Sequence, residues 1–238
     1  MRLMSPWRGG IIALNKKCEL YVSIVSENPK NIFLHLPIYE QIGVSGIHFD
    51  VMDGSFVPRF GLYPELMQEI RNQTLLPIEV HLMVTNPEPY IEQFVEMGAS
   101  RIIVHIETLL HPHRIISLIK KNGVESGVAL NPSTTLGNLE FLLDDIDLIL
   151  LMAINPGIPK HNFIPKTFDK LIKLKSEISK NNLPIKIGID GGVTFENAKN
   201  LSENGADILI CGSGTIFSKN SDMKTNISSL KNILASKH

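Results

Sequence analysis

Short apolar runs recur along this chain, and stretches with helical periodicity separate them. The runs are nearly continuous rather than alternating, which is typical of parallel strands covered by helices. They predict eight strands, at residues 20–25, 46–51, 78–83, 101–105, 126–130, 148–152, 185–189 and 208–211. The periodic stretches predict eight helices, at residues 32–42, 63–71, 89–97, 113–122, 136–143, 168–180, 195–204 and 223–235.

Eight strands alternating with eight helices predict a single-domain α/β fold, the (β/α)₈ TIM barrel. An open doubly wound sheet is the alternative, but no G-x-G-x-x-G motif follows the first strand to favour it. Gly98, Gly123 and Gly205 each follow a predicted helix and are expected to end it. We expect residues 20–238 to form the barrel, preceded by an N-terminal extension of residues 1–19.

Composition narrows the class of protein. A formal net charge of −1 over 238 residues argues against a nucleic-acid partner bound through bulk charge. The two cysteines are too few for a disulfide framework and fit a reducing compartment. No apolar run approaches the roughly 20 residues of a membrane span, and the apolar run at 11–14 is short for a signal peptide. We therefore expect a cytoplasmic protein with no membrane or nucleic-acid partner.

Residues able to bind a metal stand at the ends of three predicted strands, where barrels carry their chemistry. His48 and Asp50 are two residues apart on a strand, so their side chains share a face. His81 lies on the third strand and Asp190 follows the seventh. Two imidazoles and two carboxylates suit Zn²⁺, Fe²⁺, Co²⁺ or Mn²⁺, and the mixed ligand set does not choose strongly among these ions. From these residues alone, a structural His–Asp pair without an ion is the competing interpretation.

Glycine turns follow the last two strands. They read DGGV at 190–193 and CGSG at 211–214. Loops at these two places in a barrel often bind phosphate through backbone N–H groups beside a helix N-terminus. Either turn taken alone could simply need glycine for a tight bend. Their joint occurrence favours a phosphate site.

These residues belong to longer motifs that resemble the ribulose-phosphate 3-epimerase family. The matching motifs are HFDVMDG (48–54), FVP (56–58), VHLMV (80–84), GA (98–99), VHIE (104–107), NP (131–132), NPG (155–157), FIP (163–165), DGGV (190–193), GAD (205–207) and GS (212–213). They stand in the family's order from about residue 21 to residue 217, nearly the whole chain.

The resemblance implies a metal-dependent isomerase of the pentose phosphate pathway that inverts C3 of a ketose phosphate. D-ribulose 5-phosphate going to D-xylulose 5-phosphate through an enediolate is the leading reaction. It implies that Asp50 and Asp190 are the acid–base pair on opposite faces of the sugar, and that both hold the metal with His48 and His81. It also implies a homo-oligomer, a dimer or hexamer. The implied substrate and phosphate contacts are Ser23, His81, Met52, Met83, Met152, Gly157, Gly191, Gly192, Gly212 and Ser213.

The chain departs from the family's pattern in two loops. Ser55 and Arg59 stand where the family has histidine and asparagine. After NPG the family continues Phe-Gly-Gly-Gln, whereas this chain has Ile-Pro-Lys-His at 158–161. Pro159 has no N–H to donate, so this loop cannot bind phosphate in the family's way, and Lys160 is a candidate replacement.

Other functions stay open on this sequence. An epimerase for allulose 6-phosphate and a catalytically silent sugar-phosphate-binding barrel are the alternatives. A lyase or decarboxylase would need a catalytic lysine at a strand end, and Lys186 begins its strand at the wrong end of the barrel. His105 is expected to pack near the site, with Glu107 supporting it.

Overall fold

The strands close on one another in sequence order. The computed structural model describes residues 18–158, 162–219 and 221–236, and eight parallel strands form a closed barrel there. The strands are β1 Glu19–Ser23, β2 Gly46–Met52, β3 Ile78–Met83, β4 Arg101–His105, β5 Glu125–Leu130, β6 Leu148–Met152, β7 Lys186–Asp190 and β8 Ile208–Cys211. The α-helices are α1 Ile32–Ile42, α2 Pro64–Arg71, α3 Glu88–Glu96, α4 Pro112–Lys121, α5 Lys166–Lys180, α6 Phe195–Glu203 and α7 Met223–Ala235. The predicted (β/α)₈ barrel is confirmed.

The predicted helix at 136–143 is wrong. Leu136–Leu139 form one 3₁₀ turn, and turns continue to the start of β6. Gly137 and Asn138 are weak helix formers, and the leucines at 136, 139 and 142 recur every three residues, the period of a 3₁₀ helix. Leu139 and Leu142 are buried, so this short turn covers the barrel without an α-helix.

The first strand also differs from its predicted bounds. It begins at Glu19 and ends at Ser23, because Ile24–Ser26 turn into a 3₁₀ segment. The chain therefore leaves the sheet immediately after Ser23, at the end of the barrel where the other candidate residues lie. The predicted extension over residues 1–19 lies outside the described residues up to residue 17, and stays a prediction.

Successive side chains of the fully buried strand β2 face two different regions, one between the sheet and the helices and one inside the barrel. Ile47, Phe49 and Val51 belong to the large apolar cluster that packs between the sheet and the helices. The residues between them point into the barrel, because successive side chains of a strand face opposite sides. Apolar side chains fill much of the rest of the barrel interior: Tyr21, Ile103, Ala129, Leu148, Leu150, Met152, Ile208 and Ile210. The polar side chains of β2 and β3 that point inwards therefore pack beside apolar ones.

Three helix ends follow the sequence prediction. Gly98, Gly123 and Gly205 have left-handed φ values of 89°, 80° and 110°, each two residues beyond the last helical residue. Glycine adopts this conformation without a Cβ penalty, so these helices end where expected. Cys18 and Cys211 are buried and unpaired. None of the described helices is long and apolar enough to cross a bilayer.

Candidate active site and metal centre

Strand register brings the candidate residues to one level of the barrel. Ser23 on β1 is level with His48 on β2, and Asp50 on β2 is level with His81 on β3. Asp190 ends β7 on the other side of the barrel interior. Since side chains two apart on a strand share a face, His48 and Asp50 both point into this space. Residues far apart in sequence thus meet at one site.

The side chains of His48, Asp50, His81 and Asp190 converge, with one ligand atom of each lying within 4.8 Å of all the others. Asp50 Oδ1 lies 3.2 Å from His48 Nε2 and 3.2 Å from His81 Nδ1. The two ring nitrogens are 3.2 Å apart. Asp190 Oδ2 lies 3.9 Å from His48 Nε2 and 3.7 Å from His81 Nδ1. Both imidazoles are fully buried.

This arrangement fits a divalent ion. Bonds of about 2.0–2.1 Å to a tetrahedral ion separate its ligand atoms by about 3.3–3.4 Å. The three contacts among Asp50, His48 and His81 are close to that spacing, and those of Asp190 are slightly longer. Two carboxylates packed together out of water are costly unless a positive charge compensates them. The mixed nitrogen and oxygen set can hold a metal ion but does not identify it.

The two carboxyl groups differ in their electrostatics. Burial works to raise the pKa of Asp50, but the charges and hydrogen bonds of His48 and His81 outweigh it and hold that pKa well below its ordinary range. Burial raises the pKa of Asp190 above its ordinary value, and the Asp50 charge adds to the rise while His48 opposes it. The two carboxyl groups therefore lie in different electrostatic surroundings, Asp50 nearer the histidines and Asp190 farther from them.

Ser23 and the methionines predicted to contact substrate lie around the cluster, and their contact with substrate stays a prediction. The Ser23 hydroxyl donates to Asp50 Oδ2 at 3.1 Å, on the side of the carboxylate away from the histidines. Met52 and Met83 are level in the register and pack with Val57 above the cluster. Met152 lies instead in the apolar cluster inside the barrel, level with Asp190. The methionines therefore belong to two packing groups rather than one.

His48 has a buried carboxylate partner that the sequence analysis missed. Its Nδ1–H donates to Glu79 Oε1 at 2.7 Å, and Arg101 Nη1 donates to Glu79 Oε2 at 2.5 Å. Arg101 also pairs with the half-exposed Glu125. The signal was present, because Glu79 precedes His81 by two residues in a strand with no exposed face. A carboxylate at such a position must face the barrel interior.

His105 and Glu107 lie beside the site, as predicted. His105 Nε2 is 2.9 Å from His81 Nε2, and His105 Nδ1 is 3.1 Å from Glu107 Oε2. Burial, with the neighbouring His81, lowers the pKa of His105 to about 4. Burial opposes ionisation of Glu107, but hydrogen bonds from His105, Thr134 and the Asn131 N–H lower its pKa to about 2. Glu107 is thus ionised and His105 neutral at pH 7.

The two glycine turns lie against each other. A Cβ at Gly214 would be 2.5 Å from the Val193 carbonyl oxygen, so the turn after β8 touches the turn after β7. Gly191 and Gly192 have left-handed φ values of 92° and 65°. Gly212 packs beside Ser26 in the loop after β1, and Ser213 is exposed. The helix α6 begins at Phe195, and a Cβ at Gly214 would lie 3.6 Å from Cγ2 of its N-cap residue Thr194, so the start of this helix adjoins the two turns.

The loop after β6 reaches the loop after β2. A Cβ at Gly157 would lie 2.5 Å from Val57 Cβ, so these loops touch. The loop after β2 is held by Asp53, whose Oδ1 accepts the N–H groups of Ser55 and Phe56 at 2.8 Å. Ser55, at the position of the family's histidine, is exposed, and Arg59 is partly buried. The departures at 159–161, including Pro159 and Lys160, lie outside the described residues.

Substituting Gly157 with alanine is expected to raise KM for the substrate about five- to thirtyfold, because the strain would depopulate the loop conformation that binds substrate. Gly157 has a φ of 75°, and a left-handed alanine costs about 1–2 kcal/mol before the contact with Val57 is counted. Steady-state kinetics on Gly157→Ala test this. Gly137→Ala is the control, because a Cβ there meets nothing nearer than 3.8 Å. Adding Val57→Ala should recover the part of the loss due to the contact, and an unchanged KM in Gly157→Ala would contradict the prediction.

Comparison with known proteins adds independent information. A sequence model of the Ribulose-phosphate 3 epimerase family matches residues 19–217. Ribulose-phosphate 3-epimerase from Buchnera aphidicola subsp. Acyrthosiphon pisum is 42% identical over 169 residues, covering 71% of this chain and 74% of that protein. The enzymes of that name from Aquifex aeolicus and Escherichia coli K12 are 40% and 38% identical, covering 82% and 81% of this chain and 86% and 85% of theirs.

Solved structures show the same fold at low sequence identity. The 3-hexulose-6-phosphate synthase from Salmonella typhimurium has a TM-score of 0.70 at 16% identity, covering 91% of this chain and 98% of that one. A mutant tryptophan synthase alpha-subunit from Pyrococcus furiosus has a TM-score of 0.64 at 16% identity, covering 92% and 97%. These likenesses extend over the whole barrel and bear on the fold alone.

Proposed function

The chain belongs to the ribulose-phosphate 3-epimerase family, and we propose that it inverts C3 of D-ribulose 5-phosphate to give D-xylulose 5-phosphate. It is a carbohydrate epimerase, and this reaction belongs to the pentose phosphate pathway. The observation that carries the proposal is the convergence of Asp50 and Asp190, from opposite parts of the barrel, on one buried cluster with His48 and His81. Sugar-phosphate binding alone would not need two carboxylates there.

Epimerisation at a carbon beside a ketone requires two proton transfers at that carbon. The C3 proton leaves from one face of the sugar and a proton returns to the other face. Two carboxylates on opposite faces can do this, each acting as base in one direction and acid in the other. No redox cofactor is required by this chemistry.

We assign these two roles to Asp50 and Asp190. The Ser23 hydroxyl holds Asp50 Oδ2, and the lowered pKa of Asp50 favours a carboxylate that accepts a proton. Asp190 lies across the cluster from Asp50, with Oδ2 3.7 Å from His81 Nδ1, and would deliver a proton to the opposite face of the sugar. After one turnover the proton assignment is reversed, which suits a reaction that runs in both directions.

His48, Asp50, His81 and Asp190 would hold the metal. When bound there, a divalent ion supplies positive charge that stabilises the negative charge of the enediolate. We propose Zn²⁺ first, with Fe²⁺, Mn²⁺ and Co²⁺ as alternatives. Metal analysis of the purified protein by mass spectrometry identifies the ion.

The residues that bind the rest of the substrate are also proposed here. The adjoining turns at 190–193 and 212–214 would bind the substrate phosphate through backbone N–H groups near the start of α6. Met52 and Met83 would contact the sugar from above the cluster.

We propose a cytoplasmic homo-oligomer, a dimer or hexamer, which light scattering after size-exclusion chromatography tests. Two unpaired cysteines fit the reducing compartment.

Exchange of solvent deuterium into C3 tests the proposed function directly. The wild-type protein in D₂O, with added metal, should label C3 of ribulose 5-phosphate and produce xylulose 5-phosphate, as followed by NMR. Allulose 6-phosphate is the comparison substrate. Faster exchange with allulose 6-phosphate would change the assigned substrate, and no exchange with either sugar would contradict epimerisation.

A further inference from the structure

A line of hydrogen-bonding side chains leads away from the metal cluster behind His81. His81 turns Nδ1 towards the cluster, where it lies 3.2 Å from Asp50 Oδ1. Its Nε2 points the other way and lies 2.9 Å from His105 Nε2. His105 Nδ1 lies 3.1 Å from Glu107 Oε2. Both histidines are fully buried, and each ring nitrogen of the line has a side-chain partner within 3.2 Å.

Hydrogen-bond polarity along this line has one consistent solution. An ionised carboxylate only accepts, so His105 must carry its proton on Nδ1 to bind Glu107. A neutral imidazole then has a lone pair on Nε2, which accepts a hydrogen bond from the Nε2–H of His81. The proton of His81 is thereby placed on Nε2, and its Nδ1 faces the cluster as a lone pair.

We propose that Glu107, acting through His105, is a positioning residue that fixes His81 in the tautomer able to bind a metal through Nδ1. The inference rests on the proposed metal site and assigns it a residue two hydrogen bonds away from the ligand. In the opposite tautomer His81 would present an N–H to the ion. His48 is fixed differently, by direct contact of its Nδ1 with Glu79.

The far end of the line is itself anchored. Glu107 Oε1 accepts the Asn131 N–H at 2.7 Å and the hydroxyl of Thr134. Lys170 on α5 donates to the carbonyl oxygens of Asn131 and Pro132, both at 2.9 Å. The donors on Oε1 hold the carboxylate in place, and Oε2 is left directed at His105. The donor and acceptor directions of the hydrogen bonds are therefore fixed from the loop after β5, through Glu107 and His105, to His81.

Glu107→Gln is the first test, because it keeps the shape and removes one acceptor. The Asn131 N–H and the Thr134 hydroxyl both donate on the loop side. The amide oxygen of the substituted side chain should therefore face these two donors, and its NH₂ group should face His105. His105 must then accept on Nδ1 and carry its proton on Nε2, opposite the Nε2–H of His81. We expect the Kd for Zn²⁺ to rise about 10- to 100-fold, measured by competition with a chromophoric chelator.

Three variants distinguish a loss of zinc affinity caused by this line of hydrogen bonds from one caused by poor folding. His113→Gln changes an exposed histidine of α4 that contacts Asp145 and lies outside the line, so this control should keep the wild-type Kd. His105→Gln can place its amide oxygen where Nε2 of the imidazole was, so it should remain within about threefold of the wild type. His105→Leu offers no acceptor to His81 and should lose about 10- to 100-fold in zinc affinity. Should Glu107→Gln fail to fold, the two variants at position 105 decide.

Nitrogen-15 NMR of the zinc-loaded protein reads the tautomers directly. The expected pattern has the His105 proton on Nδ1 and the His81 proton on Nε2. The reverse pattern would overturn the proposal, as would an unchanged Kd in Glu107→Gln, equal losses in both variants at position 105, or an equal loss in the control His113→Gln. A wild-type protein that binds no zinc would instead overturn the metal site of the proposed function, which is a distinct result.

Discussion

Replacing Asp190 with asparagine is expected to lower kcat for C3 epimerisation about 10²- to 10⁴-fold, the range typical of losing a general acid or base. The amide has nearly the same shape but cannot hold or move the proton. Asp50→Asn should cause a loss of similar size. Each variant retains one carboxylate, so each can exchange the C3 proton of at most one of the two epimers.

This difference between the two epimers distinguishes loss of one carboxylate from a general loss of activity. Conversion and deuterium exchange are measured separately, starting from ribulose 5-phosphate and from xylulose 5-phosphate, with metal content checked in every variant. Asp169→Asn, on the exposed face of α5, serves as the matched control and should keep full activity. Conversion at the wild-type rate in Asp190→Asn would contradict the two-carboxylate mechanism.

Removing the metal is expected to reduce activity about 10³-fold, because charge stabilisation by an ion contributes several kcal/mol. The folded protein should also lose stability, since the converging carboxylates of Asp50 and Asp190 lose their compensating charge. An ion present at about 1,000 times its Kd contributes about 4 kcal/mol to folding. For a chain of this size that corresponds to a fall in Tm of about 8–16 °C.

Dialysis against a chelator, followed by calorimetry and activity assays, tests both effects. Adding back Zn²⁺, Fe²⁺, Mn²⁺ and Co²⁺ one at a time ranks the ions by recovered activity. Glu79→Gln gives a further comparison, because it alters the partner of His48 without removing a ligand. Full activity in protein shown to be free of metal would contradict this prediction.

Much of this molecule follows from local patterns in the chain. The barrel was predictable because continuous apolar runs alternating with helical periodicity have few other solutions. His48 and Asp50 were predictable as a pair because strand alternation is a local rule. The wrong helix at 136–143 shows the limit of such rules, since three leucines spaced by three fit both an imperfect α-helix and a 3₁₀ turn.

The partners of the charged residues behind the site could not be derived in this way, although the interior position of Glu79 could. Glu79 and Arg101 look like isolated charges in apolar strands, and only the closed barrel brings them into contact with each other and with His48. The contact between Gly157 and Val57 joins loops one hundred residues apart. No local pattern encodes such pairings, because they depend on the stagger and tilt of all eight strands.

The sequence by itself determined the type of each ligand, the strand end where it stands and the turns that follow, because these depend on chain-local periodicity and on glycine. Tertiary structure alone decided that Asp190 meets His48 and His81 across the barrel. It also decided which nitrogen of each imidazole faces the cluster. That choice depends on the groups packed behind each ring, Glu79 for His48 and His105 for His81, and those positions are set only when the barrel closes.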